Sequence, residues 1–110
     1  MKLIVAIIQP EKLDYLTAAL RRAGVRGVTV TQARGFGDEN AAYDWNLRGD
    51  LTSKLKVETV VSDEVCDEIV MVIQSTVAKG SREHAFLYVI DVVKTVHFFT
   101  GETEVEDNIE

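Results

Sequence analysis

The stretch "KLKVETVVSDEVCDEIVMVIQSTVAKG", residues 54 to 80, changes its hydrophobic period at Ser62, and that change decides the fold. Over residues 54 to 61, Leu55, Val57 and Thr59 alternate with Lys54, Lys56 and Glu58. Alternation of this kind predicts a strand with one buried face and one charged face. Beyond Ser62 the apolar residues recur as Val65, Ile69, Val72, Ile73 and Val77, the stripe of an amphipathic helix. Ser62 suits the N-cap, Asp63 and Glu64 complement the positive end of the helix dipole, and Gly80 marks the stop.

Working outward, residues 2 to 8 are rich in Val and Ile and predict a strand that ends before Pro10, a residue suited to a first helical turn. "PEKLDYLTAALRRAG" then sets Leu13, Leu16 and Leu20 on one helical stripe, with Glu11 near its start, Arg21 and Arg22 near its end, and Gly24 as the terminator. "RGVTVTQARG" alternates Val28, Val30 and Gln32 against Thr29, Thr31 and Ala33, a second strand ending at Gly35. On the far side, "AFLYVIDVVKTVHFF", residues 85 to 99, reads as one long final strand. The acidic tail from Gly101 is expected to be mobile. The order is β-α-β-β-α-β, an α+β, ferredoxin-like plan with a four-stranded antiparallel sheet. Residues 1 to 110 make a single domain, with no internal repeat and no low-complexity segment.

Composition narrows the function. A chain of 110 residues with 46% hydrophobic content supports one core. Its net charge of -6 argues against a nucleic-acid or anionic-membrane surface, because no basic stripe is present to neutralise phosphates. A single cysteine, Cys66, leaves no disulfide framework and reads as inert packing in a reducing compartment. "LIVAII", residues 3 to 8, is too short to cross a bilayer and carries no cleavage site behind it, so the expected location is cytoplasmic, with no direct membrane insertion.

The first strand is apolar on both faces, at Leu3, Val5 and Ile7 and again at Ile4, Ala6 and Ile8. The final run repeats this, with Phe86, Tyr88, Ile90 and Val92 on one side and Leu87, Val89 and Val93 on the other. Two helices cover only one face of four strands. Each Val or Ile is worth roughly 1.5 to 3 kcal/mol when buried, so the second face calls for cover by further copies of the chain.

At "MKLIVAIIQPEKLDYLTAALRRAGVRGVTVTQARGFG", residues 1 to 37, the chain resembles the PII nitrogen-regulatory signal-transduction superfamily, as a divergent PII-like member. The likeness resumes at "KLKVETVVSDEVCDEIV", residues 54 to 70, and at "TGE", residues 100 to 102. It implies a homotrimer with ligand clefts between subunits and a client-binding loop between the second and third strands. That loop, "DENAAYDWNLRGDLTS", residues 38 to 53, holds Tyr43, Trp45 and Arg48, residue types that dominate interface hot spots. A plain hairpin connection is its ordinary structural reading.

The departures from the family pattern fall on the phosphates. Where the family has a loop similar to TGKIGDGK, whose glycines and lysines cradle ATP or ADP, this chain reads "KGSREHAF", residues 79 to 86, with Glu83, Ala85 and Phe86 replacing glycines and a lysine. For RIRTGE it reads "HFFTGE", which puts His97 and Phe99 in place of two arginines. Asp38 and Glu39 stand where Arg and Gln usually follow the "GFG" turn. The tyrosine uridylylated in some relatives has no counterpart after Arg48 and Gly49.

By resemblance, Ile7, Val28, Thr29, Gly35, Phe36, Gly37, Lys54, Glu58 and Val60 fall where the family contacts adenine, ribose or the first phosphate. Each also has an ordinary reading: Ile7, Val28 and Val60 as core, Gly35 and Gly37 as turn glycines, Lys54 and Glu58 as solvated charges. Gly80, Ser81, Arg82 and His97 complete the candidate ligand contacts, and Lys79 and His84 add donors for a smaller anion such as a monophosphate or bicarbonate. The expected function is a non-enzymatic regulator. It senses an adenine nucleotide such as ADP or AMP, or bicarbonate, needs no bound cofactor, and acts on a client enzyme or membrane transporter through the 38 to 53 loop. The alternative is a trimeric metal-responsive protein similar to copper-tolerance relatives, using His84, His97, Asp38 and Glu39, but no ligand spacing unites those residues. Acylphosphatase chemistry lacks its Gly-rich motif here, and an RNA-recognition domain lacks its stacking aromatics on the first and third strands.

Overall fold

A computed structural model of the chain describes residues 1 to 36, 51 to 79 and 85 to 106. The strands β1 (Lys2–Ile8), β2 (Thr29–Gly35), β3 (Thr52–Val61) and β4 (Phe86–Asp91) form one antiparallel sheet in the order β2-β3-β1-β4. A 3-10 turn, Pro10–Lys12, leads into α1 (Leu13–Arg22), and α2 spans Asp63–Ala78. The α+β ferredoxin-like plan is therefore the fold.

Register explains the core. Ile4 faces Thr59 and Val89, Ala6 faces Val57 and Leu87, and Ile8 faces Leu55, so these residues share the face under the helices. Leu16 and Leu20 of α1 and Ile69, Ile73 and Val77 of α2 close over them. Helix α1 ends as its sequence requires. Gly24 adopts φ +92°, its N–H donates to the Arg21 carbonyl, and the Val25 N–H reaches back to the Leu20 carbonyl at 3.0 Å, a Schellman stop.

Five expectations are corrected. The α2 stripe starts at Cys66 rather than Val65: Cys66 is buried and Val65 exposed, while Ile69, Ile73 and Val77 are buried as expected, Cys66 lying three residues before Ile69 on the same face. Burial pushes the Cys66 thiol pKa up, as befits packing. Ser62 holds the extended N-cap conformation, but its hydroxyl makes no capping bond. The first turn is tied down instead by Asp63, whose carboxylate accepts from the Met1 ammonium at 2.9 Å. Strand β3 starts at Thr52, since Thr52 pairs with Gly35 and donates its hydroxyl to the Gly35 carbonyl at 2.9 Å; the end of the 38 to 53 loop is thus strand.

The largest correction concerns residues 85 to 99, which are not one strand. Strand β4 ends at Asp91 because its partner β1 ends there: Lys2 pairs with Asp91 in register and by a side-chain ion pair, and the Val92 N–H donates to the Met1 carbonyl. Past that point no neighbour offers a ladder, and the chain pairs with its own tail. Strand β5 (Lys94–Val96) runs antiparallel to β6 (Thr103–Val105), around a turn in which Gly101 takes φ +78°. The segment expected to be mobile from Gly101 onward therefore begins as half of a hairpin.

The sheet face opposite the helices carries Leu3, Val5 and Ile7 of β1, Phe86, Tyr88 and Ile90 of β4, and Val60 of β3, by the same register. Val60, Phe86, Tyr88 and Ile90 are all exposed within the single chain, Ile90 at 48%. The expectation of a second apolar face holds: Val5 is buried within it, while its Val60, Phe86, Tyr88 and Ile90 stay exposed in the single chain.

Candidate ligand-binding site

Strand β3 organises the candidate residues, with Glu58 and Val60 toward one end and Lys54 toward the other. At the first end Thr29 faces Glu58 across the β2–β3 ladder, and Leu3 faces Val60 across β1–β3. Just before β2, Gly27 and Val28 are drawn onto the strand by the buried Thr59 hydroxyl, which donates to the Gly27 carbonyl at 2.8 Å. These residues border a shallow, open hollow of about 380 Å³ lined by Leu3, Gly27, Val28, Thr29, Glu58, Thr59 and Val60. Glu58 is the only ionisable side chain in that lining. Such a lining accepts hydrogen bonds from hydroxyls or an amine and repels phosphate.

At the second end Lys54 faces Ala33, and Gly35 faces Thr52. A cavity of about 460 Å³ is lined there by Pro10, Gln32, Ala33, Arg34, Ser53, Lys54 and Leu55. Lys54, which is buried, and Arg34 both border it, although the pleat puts their side chains on opposite faces of the sheet, Lys54 with Ala33 and Arg34 with Ser53. The Arg34 guanidinium also reaches the Leu51 carbonyl at 3.5 Å. Phe36 follows Gly35 and stands 80% exposed. Ile7 lies on the open face between Lys56 and Phe86.

One chain therefore does not gather its candidate residues into one site. Lys54 and Glu58 are separated by four residues of extended strand, roughly 13 Å at the usual rise. Val28, Thr29, Glu58 and Val60 form one group, and Gly35, Phe36 and Lys54 another, with Ile7 on the second side. His97 belongs to neither; it is exposed on the hairpin, where its N–H donates to the Glu102 carbonyl at 2.8 Å. Lys79 ends α2, and its carbonyl accepts from the Lys12 ammonium. Gly37, Asp38, Glu39, Tyr43, Trp45, Arg48, Gly80, Ser81, Arg82, Glu83 and His84 lie outside the described residues. Among the described residues no group of three potential metal ligands occurs, and no helix is long and apolar enough to cross a membrane.

Sequence reasoning missed Leu3, Gly27 and Thr59 at the first cavity and Arg34 at the second. Thr59 was legible only as a helix-side residue of β3, and nothing in its spacing signals that its hydroxyl would hold the Gly27 carbonyl.

An antiparallel βαββαβ sheet with one apolar face open and pockets at its two ends defines a ferredoxin-like module whose ligand-type surfaces are split. A family model described as nitrogen regulatory protein P-II matches residues 1 to 102. The chain belongs to this family of P-II nitrogen-regulatory signal-transduction proteins. It is 39% identical to a nitrogen regulatory protein P-II of Pasteurella multocida over 114 aligned positions, covering 99% of this chain and 100% of the relative. It is 37% identical to nitrogen regulatory protein P-II 1 of Escherichia coli, over 94% of this chain and 96% of the relative. The corresponding protein of Rhizobium meliloti is 36% identical over the same shares.

Proposed function

We propose that this protein is a non-enzymatic P-II-type regulator that works in the cytoplasm as a homotrimer. In this reading a small effector, an adenine nucleotide such as ADP or AMP, or bicarbonate, occupies clefts between subunits. The occupied state is passed to a client enzyme or transporter through residues 38 to 53. The observation that carries the proposal is the separation of the candidate residues. The apolar, hydroxyl-bearing half with Glu58 and the cationic half with Lys54 and Arg34 lie at opposite ends of one sheet. A second copy laid across the open face joins the two halves, and it also covers Val60, Phe86, Tyr88 and Ile90.

Charge also bears on the ligand. With Asp38 and Glu83 at phosphate-facing positions of the family pattern, and with Phe86 and Phe99 where that pattern has cations, tight triphosphate binding loses its supports. Two lost charged contacts at about 1.4 kcal/mol per tenfold weaken ATP at least about a hundredfold relative to the intact pattern. The test is light scattering followed by a calorimetric screen of ATP, ADP, AMP, cyclic nucleotides, bicarbonate, 2-oxoglutarate and divalent metals. Three times the chain mass, with a mononucleotide or bicarbonate binding more tightly than ATP, is the expected outcome. A stable monomer, or micromolar ATP affinity with magnesium, overturns the proposal.

A further inference from the structure

Helix α2 ends without the groups that usually close a helix. Its last turn, through Ala78, holds no basic residue, and its C-cap, Lys79, is extended at φ -66° and ψ 120° rather than left-handed. The last carbonyls of a helix need donors, and the negative end of its dipole needs a cation. Both come from the entry to α1. The Lys12 ammonium donates to the Lys79 carbonyl, across 67 residues of sequence.

The segment that presents Lys12 is stiff. Pro10 fixes its own φ and opens the 3-10 turn Pro10–Lys12, whose closing bond runs from the Lys12 N–H to the Gln9 carbonyl at 3.0 Å. Gln9 is buried, so the turn is seated on the core. A lysine side chain loses more rotamer freedom than most when it is held, and a rigid base limits how much is left to lose. The same turn has a second neighbour. Pro10 lines the cavity of about 460 Å³ that Lys54 also borders. One three-residue turn thus touches the Lys54 end of β3 on one side and the C-terminus of α2 on the other.

Both neighbours carry candidate ligand contacts. Lys54 is one, and Lys79 is the last described residue before Gly80, Ser81 and Arg82. We propose that Lys12 is a positioning residue of the effector site: by holding the Lys79 carbonyl, it fixes where and in which direction the chain leaves α2 relative to the Lys54 end of the sheet. Lys12 touches no effector in this account. It acts through the backbone of Lys79, whose carbonyl it grips. The inference rests on the effector reading proposed above and adds a residue that this reading does not contain.

The experiment compares the full-length wild type with Lys12→Met, which keeps an unbranched stem and removes the charged donor, and with Lys12→Arg, which keeps a charged donor. Calorimetry with ADP, AMP and bicarbonate reads the site, and amide hydrogen exchange reads α2 in the free chain. Whichever of the three probes wild type binds, Lys12→Met should bind it at least about tenfold more weakly. Exchange should rise in the last turn of α2, residues 76 to 79, and stay unchanged over residues 66 to 73. Lys12→Arg should restore both. Faster exchange at residues 76 to 79 with unchanged affinity would leave Lys12 a helix cap and overturn the proposal. Weaker binding with unchanged exchange would make Lys12 a charge acting at a distance, which overturns it as well. A wild-type chain that binds none of the three probes sinks the effector reading together with this inference, whereas one that binds while Lys12→Met binds equally well sinks the inference alone.

Discussion

The Thr59 hydroxyl and the Gly27 carbonyl lie 2.8 Å apart, and this bond fastens the segment bearing Val28 and Thr29 to the strand bearing Glu58 and Val60. It joins residues distant in sequence into one pocket wall. Because Thr59 is buried, the bond has no water to replace it.

Thr59→Val keeps the shape and removes the donor, leaving the Gly27 carbonyl without this partner. The expected loss of stability is about 1 to 2 kcal/mol, read from urea unfolding with an unchanged slope. A variant as stable as wild type would mean that the Gly27 carbonyl finds another donor.

Gly24 and Gly27 flank the same segment, and a Cβ on either meets nothing within 4 Å. Only Gly24 is left-handed, at φ +92°. Gly24→Ala should therefore cost about 1 to 2 kcal/mol from backbone conformation alone. Gly27→Ala should be neutral or stabilising by up to about 1 kcal/mol. Thermal melts of the pair separate conformational strain from crowding, and equal effects at the two sites would contradict this account.

The Met1 ammonium and Asp63 shift each other. The hydrogen bond from the ammonium lowers the Asp63 pKa from its ordinary 3.8, and the same bond raises that of the Met1 amine from its ordinary 8.0. The depressed carboxylate contributes stability above its ordinary value and loses it as pH falls through its folded pKa. The raised amine contributes below its ordinary value and loses it as pH climbs through its folded pKa. In the chain beginning at Met1, the stability gap between wild type and Asp63→Asn should thus plateau between about pH 4 and pH 8 and shrink on both sides. A gap independent of pH would assign the effect of the substitution to packing.

Trp45 is the single tryptophan and falls in the 38 to 53 segment proposed to carry the signal. Adding the effector found by calorimetry, or a client protein, should change its emission maximum or its quenching by iodide. Emission unchanged at saturating effector and client would remove that segment from the signalling role.

The strand-to-helix switch at Ser62, the stripes of both helices to within one residue and the stop at Gly24 were written in residue order. They depend on local period and backbone freedom, which neighbouring residues alone impose. The apolar character of both sheet faces was legible for the same reason. Tertiary structure alone decided where the last strand breaks, since Val92 and Val93 look like strand, and it is the end of β1 at Lys2 that stops the β1–β4 ladder at Asp91. It also decided that Asp63 would anchor the start of α2 to Met1, 62 residues away. Candidate residues such as Lys54 and Glu58 could be named from the sequence, but their separation could not. Which residues meet across a sheet is a matter of register, and register is settled by packing of the whole sheet rather than by any one strand.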